Sequence, residues 1–210
     1  MCCNKTVPIR ALIFDMGSVF LQMFDEAPRQ QIAERLGLEL DAIYAAIFDS
    51  ESSRRAMLGE FSYEDHWAWV CAELGLAGDD CADLHTEFWR ADGIDRELTA
   101  CIRALRSRYK IGLLTNAWDD LRRKLVRWGL TDLFDDVVNS AEVGLAKPDP
   151  EIYNLALRRL GVAPAEAIFV DDRLENVEAA RRVGMYAVQF INRAQALLEL
   201  AGILEQENPA

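Results

Sequence analysis

Short apolar runs rich in β-branched residues recur along this chain at residues 9–14, 111–114, 137–138, 167–170 and 186–191. Runs without period-two alternation belong to strands buried on both faces. From residue 94 onward they alternate with amphipathic helical patterns at 94–108, 120–128, 150–160, 175–183 and 194–200. Alternating strands and helices can close only as a parallel sheet with right-handed crossovers, so the pattern predicts a doubly wound α/β core. Helix punctuation agrees with this register. Asp149 is placed as an N-cap with Pro150 at the first helical position, and Gly161 and Gly184 follow the last periodic residues of their helices.

Residues 25–92 break the alternation. They are nearly strand-free, and Ser62 with Asp65 makes a capping-box start before an apolar stretch containing Trp67, Trp69 and Val70. The segment reads as a small helical cap inserted after the first strand, with residues 1–24 and 93–210 forming the core. No repeat or Gly/Ser linker separates the two, so the cap is expected to pack on the core.

Composition narrows the function classes. With 51% hydrophobic and 28% charged residues the chain can bury a core, and its net charge of −12 argues against nucleic acid or an anionic membrane as partner. No apolar run approaches the roughly 18 residues of a membrane span, and the first ten residues lack a signal-peptide pattern. A cytoplasmic location is expected. Five cysteines, with Cys71, Cys81 and Cys101 inside helical patterns, point to reduced thiols rather than a disulfide framework, and adjacent Cys2 and Cys3 have no metal-ligating neighbours.

In an open parallel sheet, ligands bind beyond the carboxyl ends of the strands. The polar residues at those ends are Asp15 in IFDMGSV, Thr115 and Asn116 in LLTNAW, and Asp171 and Asp172 in FVDDRLEN, while Lys147 in GLAKPDPEIY approaches a helix start. Three carboxylates sharing one crevice need a compensating cation, and a hard divalent ion held by oxygens is the natural one. Magnesium fits, and would offset the acidic field where a phosphate lands.

These segments, in this order, resemble the four motifs of the haloacid dehalogenase-like superfamily. LTNAWDD, EVGLAKPDPEIY and FVDDRLENVEAARRVGM are most similar to the N-terminal phosphatase domain of soluble epoxide hydrolases and to bacterial sugar-phosphate phosphatases. The resemblance implies a Rossmann-like core and a Mg²⁺-dependent phosphomonoester hydrolase acting through an aspartyl-phosphate on Asp15. It implies that Thr115 and the Asn116 backbone N–H hold a phosphoryl oxygen and that Lys147 neutralises nucleophile and phosphoryl charge. Asp15, Asp172, Asp171 and the Gly17 backbone carbonyl would surround the metal, with Asn176 behind them. A small phosphorylated metabolite would be the substrate, and the protein a monomer or homodimer.

One position departs from the pattern. The family's phosphatases usually carry a second Asp two residues after the nucleophile, serving as general acid and then base. Gly17 stands there. Glycine keeps the carbonyl but loses the proton donor, so slow turnover favouring good leaving groups is expected, the missing group being worth about 10² to 10⁴ in rate. Gly17 also admits a 2-haloacid dehalogenase, whose halide leaves without a proton, or a phosphate-binding regulatory protein without turnover.

Several residues carry a plainer alternative. His66 is a substrate contact or a packed helix residue. Trp67, Trp69, Phe88 and Trp89 line a pocket or form the cap's own core, and Arg54 and Arg55 reach a substrate anion or pair on the surface. In each case the packing or surface role is the default.

Overall fold

A computed structural model describes residues 7–207 of the chain, so Cys2 and Cys3 lie outside the described residues. Its centre is a parallel five-stranded sheet in the order β5-β4-β1-β6-β7, formed by β1 (Ala11–Phe14), β4 (Lys110–Thr115), β5 (Asp136–Asn139), β6 (Ala167–Asp171) and β7 (Tyr186–Gln189). β1 is central, with Phe14 in register with Leu113 on one side and Val170 on the other. The doubly wound α/β class expected from the alternation is the one observed.

Side chains of the strands divide by parity. Leu12, Phe14, Ile111, Leu113, Ile168 and Val170 enter one core, whereas Ala11, Ile13, Leu114, Ala167 and Phe169 enter the other. This is the period-two geometry of a strand with both faces covered. The covering helices are α6 (Arg96–Leu105), α7 (Leu121–Trp128), α9 (Pro150–Leu160), α10 (Leu174–Val183) and α11 (Arg193–Glu207), with a short α8 (Ser140–Val143) after β5. Asp149 caps α9 by accepting a hydrogen bond from Glu151 N at 2.9 Å, and Gly161 and Gly184 take the left-handed conformation at their helix ends. Those three punctuation marks stand where the sequence places them.

Between β1 and α6 lie α1 (Ala27–Leu36), α2 (Leu40–Tyr44) running into a π-helical turn (Ala45–Asp49), α3 (Glu51–Met57), α4 (Tyr63–Glu73) and α5 (Asp79–Phe88). Ser62 and Asp65 make the expected reciprocal capping box at α4. The helices share a core of Ile32, Ile43, Ile47, Trp67, Val70, Leu84 and Phe88. Arg29 ties it together from inside: its guanidinium donates to Phe88 O at 2.9 Å, to the Tyr44 hydroxyl at 2.7 Å and to both Asp92 oxygens at 2.5 and 2.7 Å.

Two features of this region differ from the sequence reading. Its stem is a two-stranded antiparallel ribbon, β2 (Leu21–Met23) against β3 (Asp92–Ile94), each strand too short to show a period. And Cys71 and Cys81 form a disulfide, with Cα atoms 5.6 Å apart, while Cys101 is free and exposed. The expectation of reduced thiols fails for this pair. Helical periodicity locates each cysteine on its own element but does not reveal that one element presents its cysteine to another.

Two contacts seat these helices on the core. Trp118, in the loop after β4, is 7% exposed and belongs to the helical cluster rather than to either sheet-face core. Gly59 has φ +77°, and a Cβ there would stand 2.2 Å from Ala141 O in α8. Any side chain at this position forces the α3–α4 turn away from the core.

Candidate active site

Parallel strands deliver their carboxyl ends to one edge of the sheet, and the sequence puts its polar residues there. Asp15 directly follows β1, Thr115 and Asp171 are the last residues of β4 and β6, and Asn116 and Asp172 come next. Lys147 arrives from the loop joining α8 to α9. It is buried, and its Nζ donates to Asp15 Oδ1 at 2.8 Å and to Asp171 Oδ2 at 2.6 Å. Asn116 fixes the lysine's backbone: its Nδ2 donates to Lys147 O at 2.9 Å and its Oδ1 accepts from Lys147 N at 2.8 Å.

Oxygens of Asp15, Asp171 and Asp172 all lie within 4.8 Å of one another. The three carboxylates are not equivalent. Asp171 has both oxygens filled, accepting from Arg173 N at 2.8 Å, from Asn176 Nδ2 at 3.0 and 3.1 Å, and from Lys147. Asp15 gives one oxygen to Lys147 and is also hydrogen-bonded by Thr115, and Asp172 is half-buried and hydrogen-bonded by Ser18. Asp15 and Asp172, each with fewer partners than Asp171, are the residues that could hold a hard divalent cation, while Asp171 is engaged by Lys147, Arg173 and Asn176. The set of anionic oxygens fits such an ion.

Electrostatics follow from burial. Desolvation raises the Asp15 carboxyl; Lys147 opposes the rise and Asp171 adds to it. For Asp172, desolvation again leads, reinforced by the negative charges of Asp15 and Asp171. Burial works against the Lys147 charge, but the two carboxylates it bridges outweigh burial and raise its pKa. Lys147 thus stays an ammonium.

A cavity of about 290 Å³ opens above Asp15. Gly17, Thr115, Asn116, Lys147 and Asn176 share its floor with Asp15, and Phe48, Met57, Trp89 and Trp118 form much of its roof. At Gly17 a Cβ would meet only Asp15 Oδ2, at 3.7 Å.

The family model for haloacid dehalogenase-like hydrolases matches residues 9–184. The chain belongs to that family. This haloacid dehalogenase-like hydrolase is 30% identical to the sesquiterpene phosphatase astK of Aspergillus oryzae over 91% of its length and 94% of the relative's. It is 33% identical to bifunctional epoxide hydrolase 2 of Sus scrofa over 96% of its length, spanning 40% of that longer protein. Among solved structures it shares its fold with a family enzyme of Bacteroides thetaiotaomicron in complex with magnesium and inorganic phosphate, at a TM-score of 0.72 and 20% identity, covering 86% of this chain and 93% of that one.

All the site residues singled out in the sequence of this hydrolase come together at one end of its sheet. The cap candidates divide. Trp89 lines the cavity, while Trp67, Trp69 and Phe88 belong to the helical core. His66 is fully buried, its Nε2 3.0 Å from Ile47 O and its Nδ1 3.0 Å from Ser52 Oγ, and it does not line the cavity. Arg54 and Arg55 pair with Glu51 and Glu60 on the surface. Sequence reasoning missed the hold of the Asn116 side chain on Lys147 and the roof residues Phe48 and Trp118. Trp118 stands inside LTNAWDD, so its neighbours in the motif were a usable signal; Phe48 carried none.

Proposed function

We propose that this hydrolase is a Mg²⁺-dependent phosphomonoesterase that works through an aspartyl-phosphate on Asp15. The observation that carries the proposal is Lys147, a buried ammonium held between Asp15 and Asp171 beneath an open cavity. Similarity to a phosphatase over nearly the full length of both chains supports the same chemistry.

In this reading the Asp15 oxygen not bonded to Lys147 attacks phosphorus in line with the ester oxygen. The P–O bond to the alcohol breaks, and the departing oxygen takes a proton from solvent, since Gly17 offers none. Thr115 and the Asn116 N–H hold a phosphoryl oxygen, and Lys147 offsets the charge gathering on the others. Water then attacks the phosphorus, releasing inorganic phosphate and restoring the Asp15 carboxylate. A Mg²⁺ ion held by Asp15, Asp172 and the Gly17 carbonyl would supply charge neutralisation at the phosphoryl group. A small phosphorylated metabolite as substrate and a cytoplasmic location, as expected from the sequence, complete the proposal; no helix among the described residues is long and apolar enough to cross a membrane.

The acidic cluster argues against the dehalogenase alternative, because a 2-haloacid brings its own carboxylate to a site that already holds three. The test is phosphate release from p-nitrophenyl phosphate, acyl phosphates and a panel of phosphate esters, with Mg²⁺ or EDTA, for wild type and Asp15→Asn. Metal-dependent release abolished in the variant is expected. Halide release from 2-chloropropionate without metal, and no phosphate release, would overturn the proposal.

A further inference from the structure

The cavity above Asp15 has two chemically different halves. Its floor is polar and converges on the position of a phosphoryl group. Its walls are Leu21, Phe48, Met57, Trp89, Trp118 and Trp128, drawn from the ribbon, the cap helices and the β4–α7 segment. The aromatics are ordered against one another: Phe48 stacks on Trp118 at 6.1 Å with an interplanar angle of 10°, and meets Trp89 edge-on at 5.9 Å.

Several polar groups among these walls are already engaged, while the Ser53 hydroxyl and the indole N–H groups of Trp89 and Trp118 are buried without a hydrogen-bond partner. Lys124 donates to Asp120 Oδ2 at 2.9 Å and lies over the faces of Tyr63 and Trp89, at 4.8 and 5.3 Å from the ring centroids. The Asn116 amide holds the Lys147 backbone, and Arg173 is paired with Glu175 at 2.6 Å. A sugar or polyol bound here would exchange hydration for contact mainly with indole and thioether surface, and most of its hydroxyls would go without partners. A hydrocarbon body loses nothing by the same transfer and gains burial.

The apolar wall does not stop at the cavity. Leu21, Trp89 and Trp128, with Lys124, also line a neighbouring cleft of about 510 Å³ whose other residues, among them Tyr63, His85, Arg90 and Arg127, are mostly polar. The apolar stretch therefore has a near end at Asp15 and a far end at a polar mouth.

Building on the phosphatase reading above, we propose that the substrate is the monophosphate of an apolar alcohol, its hydrocarbon body lying between the cap aromatics and the Trp118–Trp128 segment. The site discriminates by hydrocarbon length: turnover efficiency rises as the chain fills the apolar stretch and levels off where the chain reaches the polar mouth.

The test is a homologous series of n-alkyl monophosphates from ethyl to dodecyl, below their micellar concentrations, set against glycerol 3-phosphate, glucose 6-phosphate and p-nitrophenyl phosphate. In parallel, binding of butyl- and decylphosphonate is followed in EDTA by tryptophan fluorescence. We expect kcat/KM to climb about three- to fourfold per added methylene over the early members before flattening. Decylphosphonate should bind well above butylphosphonate, and Phe48→Ser, at a partly exposed position, should reduce the length dependence. Phosphate release that is independent of alkyl length, or fastest from the polyol phosphates, overturns the inference and leaves the phosphatase standing. Length-dependent phosphonate binding without phosphate release from any ester upholds the apolar site and removes the phosphatase reading.

Discussion

The side chain of Asn116 and the backbone of Lys147 are joined by two hydrogen bonds of 2.9 and 2.8 Å, one in each direction. The amide makes no contact with the lysine ammonium, yet it fixes the chain from which the ammonium reaches Asp15. Asn116→Ala removes both bonds and leaves every charged group of the site in place. We expect kcat to fall about 10- to 100-fold, as for other supporting partners of a reactive centre, with circular dichroism unchanged. Loss confined to KM would show that Asn116 acts on substrate binding instead.

Gly17 has room for a side chain beside Asp15, a Cβ there finding only Asp15 Oδ2 at 3.7 Å. Gly17→Asp should therefore fold and place a carboxyl at the mouth of the site. Turnover of alkyl phosphates should rise by about 10² or more, and that of p-nitrophenyl phosphate much less, because its leaving group hardly needs a proton. Equal gains on both would sink the idea that a proton donor is what Gly17 lacks.

Asp15 and Asp172 are the less engaged carboxylates of the acidic cluster, so Mg²⁺ should stabilise the folded protein. At a hundredfold excess over its Kd the ion contributes about 2.7 kcal/mol, or about 5 to 10 °C in Tm for a chain of this size. Differential scanning fluorimetry with Mg²⁺ or EDTA measures it. Asp172→Asn should abolish the shift, and a variant that keeps it whole would remove Asp172 from the metal site.

His66 is held neutral. A carbonyl only accepts, so Ile47 O fixes the proton on Nε2 and the Ser52 hydroxyl donates to Nδ1. Burial lowers its pKa below 6.5, the Ile47 carbonyl opposing only in part, and burial lowers that of His85 in the same direction. With the folded pKa depressed, the unfolded chain binds the proton first. The contribution of His66 is complete above about pH 6.5 and is lost as pH falls toward the folded value. Urea midpoints at pH 7.5, 6.5 and 5.5 should drop more steeply for wild type than for His66→Gln; parallel curves would contradict the assignment.

What was legible in the sequence was what repeats or what aligns with a strand end. The apolar runs announced the sheet because buried parallel strands have no polar face to interrupt them, and Asp15, Thr115 and Asp171 could be found because a doubly wound fold gathers its strand ends. The ribbon of β2 and β3 was invisible, being three residues on each side joined across the whole cap. The Cys71–Cys81 bond and the Arg29–Asp92 pair were invisible for another reason: each depends on how elements face one another, and periodicity describes an element alone. Asp171 and Asp172 read as a pair in sequence, and only their hydrogen bonds separate the residue held by Lys147, Arg173 and Asn176 from the one bonded by Ser18.

Trp118 stands three positions after Thr115, yet packs in the core of the cap. The segment that leaves the sheet at Thr115 is thus also the one that fills the interior of the helical region. The helical region is therefore not a module independent of the core. Transplanting residues 25–92 from a relative would strand an indole in a foreign interior and pull on the strand end beside Asp15, so a folded chimera has to carry the segment from Thr115 to Trp128 along with its helices.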